Sequence, residues 1–288
     1  MTFIIADSGS TKVDWRIVAD GSIVQVITKG INPVYISEEE IRNILMEHLF
    51  PITGAEVVKI FFYGAGLVSR ESVSRLENCF KTVFSNPDCV FESDIKASAL
   101  ALFGRGRGMA CILGTGANSC LCDNAEILYN VRPGGFIIGD EGSGAFIGKR
   151  LLSDFVKGLL PEEIAEDLSR RYDLDYASVV ENVYRKPSAN RYLSSFCPFV
   201  AEYAAHEYTD RMLQDCFLEF FDRNVEVYRI KGWMDASCEI GFTGSVAYYF
   251  AAALKKAAEV KGYKIKRILR SPADRLVDFY VKEFGYAK

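Results

Sequence analysis

Four turns rich in glycine and hydroxyl residues are the parts of this sequence best suited to chemistry: 7–12 (DSGSTK), 114–119 (GTGANS), 139–144 (GDEGSG) and 241–245 (GFTGS). Glycine lets the backbone approach a ligand closely, and the N–H and hydroxyl groups of such turns donate to phosphate. Asp7, at the end of a predicted strand, is a carboxylate that could hold hydrated Mg²⁺. Three of these turns, taken alone, are explained slightly better as ordinary tight turns. The turn at 139–144 is the exception, because two acids among three glycines favour a functional role.

A further carboxylate, Asp94, follows a short apolar segment and precedes a helical pattern. It is a candidate general base, because a carboxylate within reach of a hydroxyl can accept its proton. It is equally well placed to be a plain helix N-cap. The sequence alone leaves both interpretations open.

Two familiar nucleotide motifs are absent. The nearest match to a Walker loop, 143–150 (SGAFIGKR), begins with Ser143 and has Arg150 where a magnesium-binding hydroxyl is needed. The pair Gly142 and Gly144 is not followed by a glycine at 147, so the dinucleotide fingerprint also fails. The only two histidines, His48 and His206, are isolated and leave little material for a His-based metal site or a catalytic triad.

The elements that would position these turns repeat along the chain. The first hundred residues predict the order βββαβαβα, with Ser37 capping the first helix and a two-residue turn at 20–21 closing a hairpin. After the glycine-rich segment 104–108 the strand–turn–strand pattern begins again. A mostly helical stretch from 143 to about 231 follows, then a strand, one helix from Gly244 to about Val260, a last strand and a terminal helix. This is a weak internal repeat in topology, not in residues.

Composition narrows the class of protein. Of 288 residues, 49% are hydrophobic and 25% charged, which is the balance of a folded chain. The net charge of −4 disfavours nucleic acid as a partner, and the longest apolar run is too short to cross a membrane. The N-terminus lacks the basic region of a signal peptide, so a cytoplasmic location is expected. None of the eight cysteines forms a Cys-x-x-Cys pair. Cys120 and Cys122 are expected on the same face of a predicted strand, and the cysteines are expected to be reduced thiols.

The order of these motifs resembles the superfamily of acetate and sugar kinases, actin and chaperone ATPases. Within it, the chain looks most like N-acetylglucosamine kinases of the BadF/BadG-type ATPase family, and 114–118 and 139–143 are the most specific matches. The resemblance implies an α/β fold of two RNase-H-like lobes with a nucleotide cleft between them. The lobes are expected at 1–107 plus 272–288 and at 108–271, the second with a large helical insertion.

The resemblance also implies residue roles. ATP would contact residues of the turns together with one alanine of the helical insertion: Gly9, Ser10, Thr11, Gly114, Thr115, Gly116, Ala204, Gly241, Gly244 and Ser245. Asp7 would hold Mg²⁺, through water. An amino sugar would be bound by Asn32, Asp94, Asn118, Gly134, Gly135, Phe136 and Asp140. Asp94 would be the base on the sugar 6-hydroxyl.

The function that this implies is phosphoryl transfer from Mg-ATP to N-acetylglucosamine, in a homodimer. Three alternatives stay open at this point. They are a glucosamine or glucose kinase, an activator ATPase that carries an iron–sulfur cluster between subunits, and a sensor that binds ATP without turnover.

Overall fold

Two mixed five-stranded sheets, each with helices packed against it, organise the chain. The structure is a computed structural model that describes residues 2–9, 12–19, 21–33, 36–64, 67, 69–235 and 237–284. Contacts between residues divide the chain into two compact units, Met1–Arg105 with Ser271–Lys288, and Gly106–Arg270. The α/β fold class predicted from the sequence is confirmed.

The first unit contains one sheet, four helices along the first hundred residues and the C-terminal helix. A π-helical turn, Leu45–Leu49, joins its first two helices. Its elements are β1 (Phe3–Ser8), β2 (Lys12–Ala19), β3 (Ser22–Lys29), α1 (Glu38–Ile44), α2 (Phe50–Thr53), β4 (Lys59–Gly64), α3 (Arg70–Val83), β5 (Asp88–Glu92), α4 (Asp94–Phe103) and α15 (Ala273–Glu283).

The second unit contains the other sheet and the helical insertion. Two further π-helical segments, Glu181–Arg185 and Phe221–Val225, lie in the insertion. Its elements are β6 (Gly108–Leu113), β7 (Ala117–Asp123), β8 (Glu126–Val131), α5 (Gly135–Ile138), α6 (Gly144–Val156), α7 (Glu162–Tyr172), α8 (Tyr176–Val180), α9 (Ala189–Ser194), α10 (Cys197–Glu202), α11 (Glu207–Phe220), α12 (Glu226–Ile230), β9 (Ile240–Thr243), α13 (Ser245–Tyr249), α14 (Ala251–Val260) and β10 (Ile265–Leu269).

The two sheets have the same topology. Strand order is β3-β2-β1-β4-β5 in the first unit and β8-β7-β6-β9-β10 in the second, so the predicted repeat is confirmed in topology. In each unit the first three strands are antiparallel, and the last two run parallel to the first. Ligands of open α/β sheets bind beyond the carboxyl ends of parallel strands. The predicted turns that begin at Asp7, Gly114 and Gly241 lie at such ends, those of β1, β6 and β9.

Large apolar side chains hold each sheet to its helices. In the first unit Trp15, Phe62 and Phe80 pack together and are fully buried, and Trp15 Nε1 donates to Thr28 Oγ1 at 2.8 Å. In the second unit Phe220 and Phe242 are fully buried and lie 5.7 Å apart between centroids. Each unit therefore has its own core, which fixes the strand ends where the turns begin.

The local predictions hold with one correction. Ser37 accepts a hydrogen bond from the Glu40 N–H and caps α1 as predicted. The single helix predicted from Gly244 to Val260 is wrong, because it is interrupted at Phe250, whose φ and ψ of −101° and 25° are not helical. The Phe250 side chain is buried in the core of the second unit, and this packing overrides the helical propensity of the segment. None of the described helices is long and apolar enough to span a membrane.

Candidate functional site

Two carboxylates lie close together at the carboxyl edge of the first sheet. Asp7 is the next-to-last residue of β1, and Asp94 is the first residue of α4, directly beyond β5. Burial, followed by the negative charge of Asp94, raises the pKa of Asp7 to about 7. The N-cap position of α4 belongs to Ser93 rather than Asp94, so Asp94 lies in the first turn, where the helix dipole favours a negative charge.

Asp7 is further oriented by neighbours from the same unit. Ser271 Oγ donates to Asp7 Oδ2 at 3.3 Å and also accepts from the Ala273 N–H at the start of α15. Asp14 lies directly opposite Asp7 in the β1–β2 pair, and its charge also raises the pKa of Asp7. The Ser271 hydroxyl and the Lys12 charge act in the other direction.

The donor set around Asp7 fits Mg²⁺. Mg²⁺ prefers hard oxygen ligands, keeps several waters and binds through one or two carboxylates together with substrate phosphates. Two neighbouring carboxylates that repel one another are stabilised when a divalent cation lies beside them. No group of three or more His, Cys, Asp or Glu side chains among the described residues could hold a metal ion unaided.

Two other predicted residues of the first unit, Gly9 and Asn32, lie near the end of β1. Gly9 follows β1, and its N–H donates to the Lys12 carbonyl at 3.0 Å, which ties the end of β1 to the start of β2. Ser10 and Thr11, both predicted to contact ATP, lie outside the described residues. Asn32 lies in the loop after β3, and Ser8 Oγ holds this loop by donating to the neighbouring Ile31 carbonyl at 2.8 Å. Asn32 is therefore held near the end of β1.

In the second unit, the turn Gly114–Gly116 is fastened to the start of α6. The Gly144 and Ala145 N–H groups donate to the carbonyls of Gly114 and Thr115 at 2.8 and 3.1 Å. The Ser143 hydroxyl caps the same helix by accepting from the Phe146 N–H. The first N–H groups of α6 are thus used inside the protein, and they hold the turn rather than a ligand.

The other side of this turn has free donors. Within the described part of the chain, the N–H groups of Thr115 and Gly116 have no hydrogen-bond partner. Backbone N–H groups that point out of a glycine turn bind anions such as phosphate. The predicted role of the turn is therefore compatible with its geometry, whereas an anion site at the start of α6 is not.

Asp140 and Asn118 lie beside the turn. Asp140 Oδ1 accepts from the Ala117 N–H at 3.2 Å, and a methyl group on Gly116 would come within 3.0 Å of Asp140 Oδ2. Burial raises the pKa of Asp140, while the Ala117 bond opposes that rise. Asn118 Oδ1 accepts from the Ser119 N–H and from Asn130 Nδ2, both at 2.9 Å, so its own amide N–H groups are left to donate.

The segment 134–139 forms a closed loop next to Asp140. Gly134 and Gly139 are in backbone contact, and a methyl group on Gly139 would approach the Gly134 nitrogen to 2.7 Å. Gly135, with φ of +71°, starts the short helix α5 between them. The Phe136 side chain packs against the core of the second unit. The loop therefore presents the backbone of its glycines, not a row of polar side chains.

The turn after β9 touches the turn after β6. Gly244 has φ of +111°, and a methyl group there would lie 2.3 Å from the Leu113 carbonyl oxygen. Gly241 lies within β9, and Ser245 begins α13. Three of the four predicted turns, 114–119, 139–144 and 241–245, are thus gathered at one edge of the second sheet.

Comparison with solved structures identifies the family. The putative N-acetylglucosamine kinase from Porphyromonas gingivalis is 34% identical to this chain, with a TM-score of 0.90. The match covers 98% of this chain and 99% of that protein. The chain belongs to this family of N-acetylglucosamine kinase-like sugar kinases.

More distant structures share the fold of this family. The putative N-acetylglucosamine kinase from Chromobacterium violaceum is 15% identical, with a TM-score of 0.74 over 96% of this chain and 98% of that one. A ROK family glucokinase from Streptomyces griseus, solved with glucose and AMPPNP, is 14% identical, with a TM-score of 0.54 over 94% and 95%. No protein-family model and no curated protein matches the chain.

Ala204, which the sequence predicted to contact ATP, has no described contact with the glycine turns of its unit. It is exposed just after α10. Tyr203 donates to Asp167, and His206 bonds Glu163, so this segment lies along α7. The turns contact the opposite end of α10, where Cys197 Sγ lies within 3.1 Å of a methyl group placed on Gly144.

Two features of the candidate site could not be predicted from the sequence. Ser271, which bonds Asp7, lies 264 residues away in sequence, and no local pattern could reveal that contact. Glu141 lies in the turn 139–144, for which the sequence favoured a functional role. Its side chain is buried, forms a salt bridge with Arg223 at 2.7 Å and accepts a hydrogen bond from Asn224 at 3.3 Å. Its role is to hold the turn, and only long-range contacts distinguish it from Asp140.

Proposed function

We propose that this protein is an ATP-dependent kinase that transfers the γ-phosphoryl group of Mg-ATP to the 6-hydroxyl of N-acetylglucosamine. The observation that carries the proposal is the bond from the Ala117 N–H to Asp140. It joins groups suited to sugar hydroxyls to the turn whose N–H groups are suited to phosphate. Membership in the sugar kinase family supports the same reaction.

Phosphoryl transfer would use three groups of the chain: backbone N–H groups, Asp7 and Asp94. The transition state is loose, so alignment and neutralisation of charge dominate catalysis. The Thr115 and Gly116 N–H groups would donate to phosphate oxygens. Asp7, oriented by Ser271, would hold the cation together with water, and bound Mg²⁺ would neutralise charge on the phosphates. Asp94 would orient the hydroxyl and accept its proton late in the step.

The sugar would be recognised by amides and one carboxylate. Asn118 has amide N–H groups left to donate, and Asp140 offers a carboxylate acceptor beside the same turn. Asn32, Gly134, Gly135 and Phe136 complete the proposed sugar site, whereas Gly9, Ser10, Thr11, Gly114, Gly241, Gly244 and Ser245 would surround ATP. Ala204 stays in the proposal only through the resemblance.

Two finer points belong to the proposal as well. We place the chain in the BadF/BadG-type branch, as a cytoplasmic homodimer. An activator ATPase would need cysteines exposed to a second subunit. Five of the eight cysteines are buried, namely Cys79, Cys111, Cys120, Cys122 and Cys216, and the three partly exposed ones, Cys89, Cys197 and Cys238, lie in β5, in α10 and just before β9. The burial of the five and the separation of the other three along the chain favour the kinase over that alternative.

A coupled ADP-release assay over a panel of sugars tests the proposal. N-acetylglucosamine, glucosamine, N-acetylmannosamine and glucose are compared with Mg-ATP. A site built to bond the acetamido group leaves its own polar groups unpaired when that group is missing, so kcat/KM should be at least about tenfold higher for N-acetylglucosamine than for glucose. Equal kcat/KM values for the two sugars would rule out a preference for the acetylated sugar and indicate a sugar kinase of broader specificity. If no sugar stimulates ADP release, the proposed kinase activity is wrong.

A further inference from the structure

Lys149 connects the helix that holds the phosphate turn to the loop beside Asp140. It lies in α6, whose first residues are bonded to Gly114 and Thr115. Its Nζ donates to the Phe136 carbonyl at 3.2 Å. The same ammonium group lies 5.1 Å from the centre of the Phe146 ring, one turn earlier on the helix. The aliphatic stem is thereby guided along α6 toward the loop.

The loop that Lys149 reaches has few side chains to hold it. Ile137 and Ile138, which form half of α5, are 74% and 78% exposed. The strand before the loop, β8, is held at its last residue by Tyr228, whose hydroxyl accepts from the Val131 N–H at 2.8 Å. At the end of the loop, Asp140 is bonded to Ala117. Between these points, the Gly139 N–H donates to the Gly135 carbonyl at 2.8 Å within the loop. The Lys149 bond and the packing of Phe136 tie the loop to the rest of the unit.

Lys149 also acts electrostatically on Asp140. Its positive charge lowers the pKa of Asp140, against burial and the negative charge of Glu141, which raise it. The Ala117 N–H bond also lowers the pKa of Asp140, and the charge of Lys149 adds to that effect, so both favour the ionised form of Asp140. An ionised Asp140 is a stronger hydrogen-bond acceptor for a hydroxyl than a protonated one.

We propose that Lys149 is a positioning residue for the sugar site: it ties the loop 134–139 to α6 and sets the loop and Asp140 in register with the phosphate turn. This inference rests on the proposed function, because it assigns a sugar to that loop. Lys149 itself would touch neither the sugar nor ATP. Its loss should therefore weaken sugar binding and leave nucleotide binding nearly unchanged.

The test compares Lys149→Met with Lys149→Arg. Methionine keeps most of the stem but removes the charge and the donor, whereas arginine keeps both. Loss of a hydrogen bond from a charged group is expected to raise the KM and the calorimetric Kd for N-acetylglucosamine about tenfold, with KM for ATP changed less than about twofold. Arginine should recover a large part of the loss. The acid limb of kcat/KM for the sugar should move to higher pH in Lys149→Met, since Asp140 loses its cation.

Arg150→Met is the matched control. Arg150 is the next residue of α6, lines the same ≈ 270 Å³ cavity as Lys149, and bonds Asp154 rather than the loop. It should leave the KM for the sugar unchanged. If Lys149→Met fails to fold, Lys149→Gln, with a neutral side chain of similar length, takes its place with the same expected result.

Three outcomes are distinguishable. A folded Lys149→Met variant with unchanged sugar Kd and an unmoved acid limb overturns the role of Lys149 while the kinase stands. Equal losses of affinity for sugar and ATP show a general structural role and overturn it too. A wild-type protein that neither binds nor phosphorylates any sugar overturns the proposed function, and with it this inference.

Discussion

At the scale of single residues, Asp94 carries the most direct prediction. Asp94→Asn is nearly isosteric, so folding and sugar binding should survive while the proton acceptor is lost. We expect kcat to fall by roughly 10²–10⁴-fold, the usual contribution of a general base. The measurement is kcat together with the melting temperature and the sugar Kd.

Asp88→Asn is the control for that variant. Asp88 begins β5, at the end of the strand remote from Asp94, and is paired with Lys59 at 2.7 Å. Its loss should leave kcat near the wild-type value. A stable Asp94→Asn protein with normal turnover would show that Asp94 is not the base, and Asp140 would be the next carboxylate to test.

Asp7 carries the pH prediction. Its pKa of about 7 in the folded chain is above its value in the unfolded chain. The folded state therefore binds this proton more tightly, and without a divalent cation stability falls as pH rises from about 4 through about 7. Asp7→Asn removes this penalty, so its melting temperature should exceed that of the wild type by several degrees at about pH 8, with the difference vanishing near pH 4.

The same variant should need more Mg²⁺ for activity, because one carboxylate ligand is replaced by a neutral amide. Melting curves in EDTA at both pH values, with Mg²⁺ titrations of the rate, provide the measurement. A wild-type protein that is as stable relative to Asp7→Asn at high pH as at low pH would contradict the account of this carboxylate pair.

Residue types could be predicted from the sequence more readily than their partners. Asp7, Asp94 and Asp140 stand beside glycine turns or strand ends, and local patterns indicate them. Asp140 adopts φ of +57°, and Glu141 turns away to Arg223, 82 residues further on. These differences depend on tertiary contacts that no window of sequence contains.

At the scale of elements, Gly244 tests whether the turns are held together by backbone contact. A methyl group there meets both the Leu113 carbonyl at 2.3 Å and a backbone conformation with φ of +111° that side chains avoid. Gly244→Ala should lower the melting temperature and weaken nucleotide binding by displacing the turn after β6.

Gly262→Ala separates the two causes. Gly262 also has a positive φ, +75°, but nothing lies within 4 Å of an added methyl group. Gly262→Ala should be less stable by only the conformational cost of a positive φ, about 1–2 kcal/mol, and should keep its nucleotide affinity. Thermal melts and titrations with an ATP analogue measure both effects. Equal nucleotide affinity in the two variants would show that contact between the turns is unimportant for ATP.

Element types were predictable because hydrophobic period and caps specify them locally. The βββαβαβα order, the Ser37 cap and the repeated strand–turn–strand pattern are confirmed. The interruption at Phe250 was not predictable, because it depends on a core to which α11 and Phe221 contribute, both distant from Phe250 in sequence. The same holds for Ala204, whose surroundings depend on how the insertion folds along α7.

At the scale of the whole molecule, the chain passes between its two units twice, at 105–106 and at 270–271. A kinase must exclude water from its substrates or hydrolyse its own ATP. We therefore expect sugar together with a non-hydrolysable ATP analogue to lower the radius of gyration in small-angle scattering. ATP analogue with a sugar that is not phosphorylated is the control, and an unchanged radius with the true substrate would contradict a closing motion.

The most direct test of the central claim is the identity of the product. ³¹P NMR of a reaction containing Mg-ATP and N-acetylglucosamine should show a new phosphate monoester whose phosphorus couples to the two C6 protons of the sugar. Its signal should grow at the rate at which ADP appears. Free phosphate without a sugar ester, or an ester at another hydroxyl, would contradict the assignment of this protein as a 6-hydroxyl sugar kinase.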